Sequence, residues 1–417
     1  MSDTSEHIVI VGAGAAGLMA ARELARAGKL VTILEARDRC GGRINPLSAS
    51  QFGYPADGGA EFVHGEAPVT RGLLSEAGLS VQAIEGTQWS FDGTKLSREG
   101  RDNPYEAELH AALRELKDDL TVAEFLRRHF AGDKYARMRH SIERMVEGYD
   151  AAEPERASTL ALREEWMDGG HHSQGRVVGG YGALITFLVA ECRKHGVVIR
   201  LDCAVAAIEE GVAVRCAGGE VFVCDKVILT VPLPLLREIA LPQAARKKAA
   251  AAVDIGFGNV IKILLRFGRP WWRDRTADLT FLLSDGTIPV WWTQNPSEHP
   301  VLTGWFGGPR TAELTRLNRQ ALIDAGIDSL ATIFGLSRDD LERDLVASEA
   351  ANWAHDRFAG GAYSWATPRT RVAQESLARA DGSVLFSGEA LYRGRDMGTV
   401  EAALASGLET AGLIVQG

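Results

Sequence analysis

A glycine loop, Gly12-Ala13-Gly14-Ala15-Ala16-Gly17, sits directly between the apolar run Ile8 to Val11 and a stretch with Leu18, Ala21 and Leu24 at helical spacing. Strand, glycine turn and helix in that order can hold a dinucleotide. Gly12 permits the tight turn, Gly14 lets the backbone approach a pyrophosphate, and Gly17 allows the helix to pack closely on the sheet. The helix start, at Ala15 and Ala16, offers unpaired N–H groups and a positive dipole end to the anion. Glu35 closes the next strand, Leu30 to Leu34, at the distance where a carboxylate binds the two hydroxyls of an adenosine ribose. Ala36 and Arg37 follow, and Arg37 and Arg43 bracket Gly41-Gly42. A second glycine pair with a trailing arginine suits the flavin end of a pyrophosphate better than a nicotinamide nucleotide, so FAD is favoured over NAD.

Further motifs recur along the chain: Asp57-Gly-Gly-Ala-Glu-Phe62, Gly179-Gly-x-x-Ala-Leu184, Thr230-Val-Pro-Leu233, Gly361-Ala-Tyr-Ser364, and Phe386-Ser-Gly-Glu-Ala390 with Gly398-Thr-Val-Glu401. Through these and Glu-Ala-x-x-x-x-Gly-Gly-Arg43 the sequence resembles the flavin-containing amine oxidase family, which includes monoamine oxidases, polyamine oxidases and histone lysine demethylases. The resemblance runs through nearly the whole length. It implies that Val205 holds the adenine through its backbone, that Gly59, Ala60, Glu61 and Phe62 pass close to the isoalloxazine, and that Gly388 and Glu389 meet the ribityl-phosphate side. It also implies that Gly398, Thr399 and Val400 begin a helix whose positive end faces the flavin pyrimidine, where reduced flavin carries negative charge.

The same resemblance singles out three residues for chemistry. Lys262 interrupts the apolar strand Val260 to Phe267, on the face of Leu264 and Arg266. Read alone it is an outward-facing lysine. The family segment instead implies a lysine that reaches flavin N5 through a water and positions water for reoxidation and imine hydrolysis. Tyr363 matches a tyrosine that walls the substrate cavity, where an aromatic face attracts a cationic amine. His64, in Phe62-Val-His-Gly65, resembles the histidine-glycine pair of several polyamine oxidases and could hydrogen-bond the amine or take its proton. Its plainer reading is a loop histidine bonded to backbone. Monoamine oxidases carry a flavin-linking cysteine where this chain has Ala362 and a second cage tyrosine where it has Thr399. The expectation is therefore noncovalent FAD and either a wider site or a second cage wall supplied by Trp353 or Trp365. Phe62 stands where amino-acid oxidases of the superfamily tend to place a carboxylate-binding arginine, which disfavours α-amino acids.

The elements that position these groups are legible in outline. From Tyr105 to about Trp166 the texture is helical, rich in Glu, Arg, Lys and Leu, with starts at Thr121 and Ser141. A helix begins within Val177 to Leu188, and strands follow near Val197 to Leu201, Val212 to Cys216, Val221 to Cys224, Val227 to Val231, Val260 to Phe267, Val290 to Thr293 and Val301 to Phe306. Seven of the nine tryptophans lie between Trp271 and Trp365, which marks an aromatic-lined region. The expected architecture is α/β: a discontinuous Rossmann-like FAD-binding domain (1–85, 172–235 and 366–417) with an α+β substrate-binding domain (86–171 and 236–365) carrying a helical insertion.

At 417 residues, 46% of them hydrophobic, the chain supports about two domains. A net charge of −9 without a basic patch disfavours nucleic acid as a partner. No signal-like start and no long apolar run are present, so a cytoplasmic protein without a membrane partner is expected. The five cysteines show no C-x-x-C spacing, and an odd count suits a reducing compartment. A two-residue turn at Gly218-Gly219 would pair Cys216 with Val221, which disfavours a bond to Cys224. His171-His172 lacks a third ligand at useful spacing, so no metal is expected.

These readings converge on an FAD-dependent oxidase of amines. Polyamines or secondary amines are the favoured substrates, with an aldehyde and a shorter amine as products and molecular oxygen as acceptor, reduced to hydrogen peroxide. Alternatives are a primary monoamine oxidase, an L-amino-acid oxidase or related FAD desaturase, and a non-catalytic interaction protein scaffolded by FAD. The sequence leaves the oligomeric state open.

Overall fold

The computed structural model describes residues 6–98, 103–167 and 174–416. His171-His172 lies outside the described residues. A five-stranded parallel sheet runs in the order Val384–Phe386, Lys226–Leu229, His7–Val11, Leu30–Leu34, Val198–Arg200. The central strands are mostly apolar, with runs such as Ile8 to Val11 and Val227 to Leu229, because both faces are covered. On one face the helices Ala15–Arg26 and Val400–Gln416 pack around Leu18, Leu24, Ile33, Leu188 and Leu404. On the other, a small antiparallel sheet (Val205–Ile208, Ala213–Cys216, Val221–Val223) and the helix Thr370–Leu377 close over Val9, Val11, Leu229 and Phe386. The strands come from three separate stretches of chain, so the cofactor sheet is complete only when the last stretch returns.

A seven-stranded mixed sheet forms the second body, in the order Leu345–Asn352, Val260–Phe267, Val301–Gly307, Val290–Thr293, Leu279–Ser284, Thr87–Phe91, Leu96–Ser97. Strand alternation divides its faces. Ile261, Ile263, Leu265 and Trp291 pack against the helix Arg319–Phe334. Lys262 and its cross-strand partner Trp305 turn to the opposite face. A short antiparallel sheet joins the two bodies: Phe62–His64 pairs with Gln174–Val177, placing Phe62 opposite Arg176 and His64 opposite Gln174.

The helical module comprises Glu106–Glu115, Val122–His129, Ala136–Gly148 and Thr159–Met167, the first three packed around Leu113, Phe125, Met138 and Val146. Thr121 caps the second helix, its hydroxyl accepting the Glu124 N–H at 3.3 Å. Ser141 lies inside the third helix, which starts at Ala136 because Tyr135 and the turn Asp133–Tyr135 lead directly into it.

The disfavoured bond between Cys216 and Cys224 is absent, Cys224 being free, but Cys216 is bonded to Cys203, with Cα atoms 5.8 Å apart, a pairing the sequence reading did not contain. The hairpin turn is also longer than two residues: Arg215 pairs with Val221, and the Cys216 N–H donates to the Glu220 carbonyl. Cys203 sits in the loop before Val205, so the partner comes from a neighbouring strand that spacing along the chain does not reveal. Among the described residues the grouping of three or more metal-type side chains is Cys203, Cys216 and Glu220, and its two sulfurs are bonded to each other. No helix among the described residues is long and apolar enough to cross a membrane.

Candidate active site

A continuous cavity of about 1890 Å³ runs from the glycine turn past Glu35 and loop 59–62 to the helical module at Tyr105, Leu109 and Met138. Its first part has the chemistry of a dinucleotide cradle. Gly14 precedes the first helix with no side-chain cap, no acidic residue stands in the first turn, and a Cβ at Gly14 would meet no atom within 4 Å. The open side of that turn and its unpaired N–H groups suit a pyrophosphate. Gly12, Ala15 and Ala16 share the wall. Gly17 does not line the cavity: its Cβ would fall 2.0 Å from the Gly12 carbonyl oxygen, so it is a packing residue.

Glu35 is 5% exposed and oriented by two backbone donors, the N–H of Ala13 at 2.7 Å and of Arg37 at 2.9 Å. Ala36, Arg37, Gly42 and Val205 lie around it on the wall. Farther along, Arg43 donates to the Ala362 carbonyl at 2.7 Å and to the Glu389 carboxylate at 2.8 Å. The second Glu389 oxygen accepts from Ser364. Gly388, Gly398, Thr399 and Val400 line the same stretch, and Thr399 Oγ1 accepts the Ala402 N–H at 3.2 Å at the start of the last helix. Glu401 points elsewhere and accepts from Val69 N, Thr70 N and Thr70 Oγ1, anchoring this helix to the helix Pro68–Glu76. These residues fit FAD, and Ala362 offers no nucleophile for a covalent link.

Lys262 is 1% exposed, not outward-facing. Its ammonium donates to the carbonyls of Asp57 at 2.7 Å and Gly59 at 3.0 Å and to Glu61 Oε2 at 2.7 Å. All three protons end on loop 57–61, so a water at this lysine would have to replace one of these bonds. Glu61 Oε1 accepts from Arg176 Nε and Trp292 Nε1, both at 3.0 Å, and from Gln294 Nε2 at 3.5 Å. Burial by itself raises the Glu61 carboxyl, but the charges of Lys262 and Arg176 and their hydrogen bonds hold it down at about 2. Burial pushes neighbouring Asp57 up to about 7 against the pull of Lys262. Ala60 and Trp353 lie on the wall beside this network, with Trp353 packed against Gly59.

Past this network the wall is aromatic. Tyr363 and Trp305 lie nearly parallel, 18° apart with centroids 6.3 Å apart. The series continues through Trp292 at 5.7 Å and Phe62 at 5.3 Å to His64 and Tyr149. Tyr149 OH and His64 Nδ1 are 3.4 Å apart, and the Tyr363 hydroxyl donates to the Tyr149 carbonyl, closing the ring. The ring stacked beside Tyr363 is that of Trp305, and Trp353 and Trp365 also line the cavity. Trp365 packs over Gly256 and into the helical module. Arg176 lies 4.8 Å from the Phe62 ring, yet its guanidinium is committed to Glu61 and to the carbonyls of Thr293 and Asn295.

Sequence reasoning missed Trp305, Trp292, Tyr149 and Arg176. Period-two alternation around Lys262 and Trp291 was the available signal for the two tryptophans, since it assigns opposite faces to Trp291 and Trp292. For Arg176 and Tyr149 no local pattern exists, because their partners are distant in the chain.

A profile of the family described as flavin containing amine oxidoreductase matches residues 15–415. Polyamine oxidase 2 of Arabidopsis thaliana is 26% identical over 449 residues, covering 99% of this chain and 88% of that protein. Lysine-specific histone demethylase 1 homolog 3 of Arabidopsis thaliana is 26% identical over 496 residues, spanning 98% of this chain but 30% of the demethylase. Among solved structures, wild-type putrescine oxidase bound to putrescine superposes with a TM-score of 0.82 at 19% identity, covering 99% of both chains. Cyclohexylamine oxidase from Brevibacterium oxydans does so at 0.80, with the same identity and coverage. At that identity the likeness is one of fold. The cavity has the lining of a dinucleotide cradle at one end and aromatic walls at the other, the profile spans both, and the chain accordingly belongs to the flavin-containing amine oxidase family, as an FAD-dependent amine oxidoreductase.

Proposed function

We propose that the protein oxidises a polyamine or another secondary amine, with oxygen as the electron acceptor. The observation that carries this reading is the closed aromatic cage beside Lys262, with the nearby Arg176 committed to protein oxygens. Aromatic faces guide an amine past Tyr363 and Trp305 and attract its cationic form. A substrate α-carboxylate would find the Arg176 guanidinium already paired, which weighs against an amino-acid oxidase. The helical module adds Leu109, Met138, Ile142 and Met145 to the far wall, a surface suited to the methylene spacers of a polyamine. The names of relatives, polyamine oxidase and putrescine oxidase, agree with this choice.

FAD, when bound, would supply the redox chemistry, taking a hydride from the carbon next to the amine nitrogen and returning the electrons to oxygen as hydrogen peroxide. Gly12, Gly14 and the helix start would hold its pyrophosphate, Glu35 its ribose, and Arg43 with Glu389 its flavin side. The cage orients the carbon–hydrogen bond and excludes bulk water, and His64 with Tyr149 can accept a proton from the amine at the mouth. Lys262 stands at loop 57–61, bonded to the carbonyls of Asp57 and Gly59 and to Glu61.

Anaerobic mixing with a panel of diamines, polyamines, monoamines and amino acids, followed by flavin absorbance, tests the proposal. Bleaching by a polyamine is expected. Bleaching only by amino acids would move the assignment to that branch, and no bleaching with any amine would sink it.

A further inference from the structure

Two cations beside the cage converge on one carboxylate. Glu61 takes Lys262 on one oxygen and Arg176, Trp292 and Gln294 on the other, and Glu61, Lys262, Trp292 and Gln294 are all at least nine-tenths buried. Trp292 is a wall of the cage, and Lys262 spans from the large sheet to loop 57–61. A single side chain therefore ties the lysine of one body to the cage wall and to the loop of the other.

We infer that Glu61 is a positioning residue: its carboxylate holds Lys262 as a hydrogen-bonded ammonium in register with the Trp292 wall, so that Lys262 serves the reaction as a fixed charge and not as a proton carrier. The three acceptors around Nζ match the three ammonium protons, which leaves no lone pair for a base and no spare proton for an acid. Removing one partner of a buried pair leaves the other uncompensated, and a buried amine without its counter-ion sheds its proton. The inference rests on the placement of Lys262 beside the reacting centre, but its test does not depend on the substrate.

The variants are Glu61→Gln and Glu61→Gln/Lys262→Met, each loaded with FAD and unfolded in urea across a range of pH. The other groups facing Lys262 and Glu61 are Asp57, Arg176 and Tyr54, with Tyr181 beyond Asp57. In Glu61→Gln the native state holds the Lys262 proton less tightly than the unfolded chain, so the folding constant rises with pH, approaching tenfold per pH unit. Asp57, whose carboxyl is raised, gives the opposite sign in both variants, so the rise is read as the difference between Glu61→Gln and Glu61→Gln/Lys262→Met, in which the Asp57 contribution cancels. The single variant is expected to gain on the double variant with rising pH. A difference that does not change with pH would overturn the inference, whereas an amide that only perturbed packing would lower the stability of both variants equally at every pH. If Glu61→Gln does not fold, the wild type still decides. With labelled lysine, one ammonium resonance, missing in Lys262→Met, should exchange with solvent more than tenfold slower than surface lysines. Exchange at the surface rate would refute the clamp. Failure of the amine panel with success here would leave Glu61 in place and remove only the substrate assignment.

Discussion

Replacing Asp57 by Asn isolates an electrostatic load that the fold carries at the cofactor side of the site. Asp57 is 8% exposed, its carbonyl accepts from Lys262, and its Oδ1 has no hydrogen-bond partner among the described residues. Burial raises its carboxyl from 3.8 to about 7, even though Lys262, Arg176 and the Tyr181 N–H all favour the charged form. The native state therefore binds this proton more tightly than the unfolded chain. The stability it contributes is complete below the unfolded value near 4 and is lost as the pH rises through about 7. One pH unit well inside that window is about 1.4 kcal/mol, and the slope halves at the native value, so wild-type protein loses roughly 2 kcal/mol at this residue between about pH 5 and about pH 7. Asn keeps an oxygen for the Tyr181 N–H and has no proton to lose. Urea unfolding of both proteins, with FAD in constant excess so that ligand linkage cancels, reads the difference directly. Asp57→Asn should gain on the wild type by roughly 1–3 kcal/mol from about pH 5 to about pH 7 and level off above. A difference between the two proteins that does not change with pH would refute the reasoning.

Gly14→Ala should leave the apoprotein within about 0.5 kcal/mol of wild type, because the new methyl meets nothing within 4 Å, yet lower FAD affinity more than about tenfold by entering the pyrophosphate path. Flavin content against melting temperature checks this, and full FAD loading would count against the cradle. Cys203→Ala/Cys216→Ala opens a loop with a sequence separation of 13, and the chain-entropy estimate for such a loop is about 3 kcal/mol. An unchanged urea midpoint in that double variant would show that the bond does not constrain the unfolded chain.

The dinucleotide turn was legible in the chain because its chemistry is local: Gly12 to Gly17 is one turn and one helix start, and Glu35 ends the next strand. Fold class and family followed from the same kind of signal, short motifs in which each residue type has a backbone reason for its position. The turn at Gly218-Gly219 is longer than its two glycines suggest, the bond from Cys216 to Cys203 in the loop before Val205 has no signal in chain spacing, and Ser141 lies inside a helix already begun at Ala136.

Tertiary structure decided the site's electrostatics. Lys262 on a strand of alternating pattern is by itself an exposed lysine. It is buried because loop 57–61, some 200 residues earlier, supplies three acceptors. Trp305 became the partner of Tyr363 through strand register, and Glu61 became the hub because Arg176 and Trp292 arrive from two different sheets. Sequence determined the glycine turn and the Glu35 carboxylate that fit a dinucleotide, since backbone conformation encodes such a cradle residue by residue. Which charges neutralise one another beside it depends on contacts between distant segments, and only the folded chain defines those.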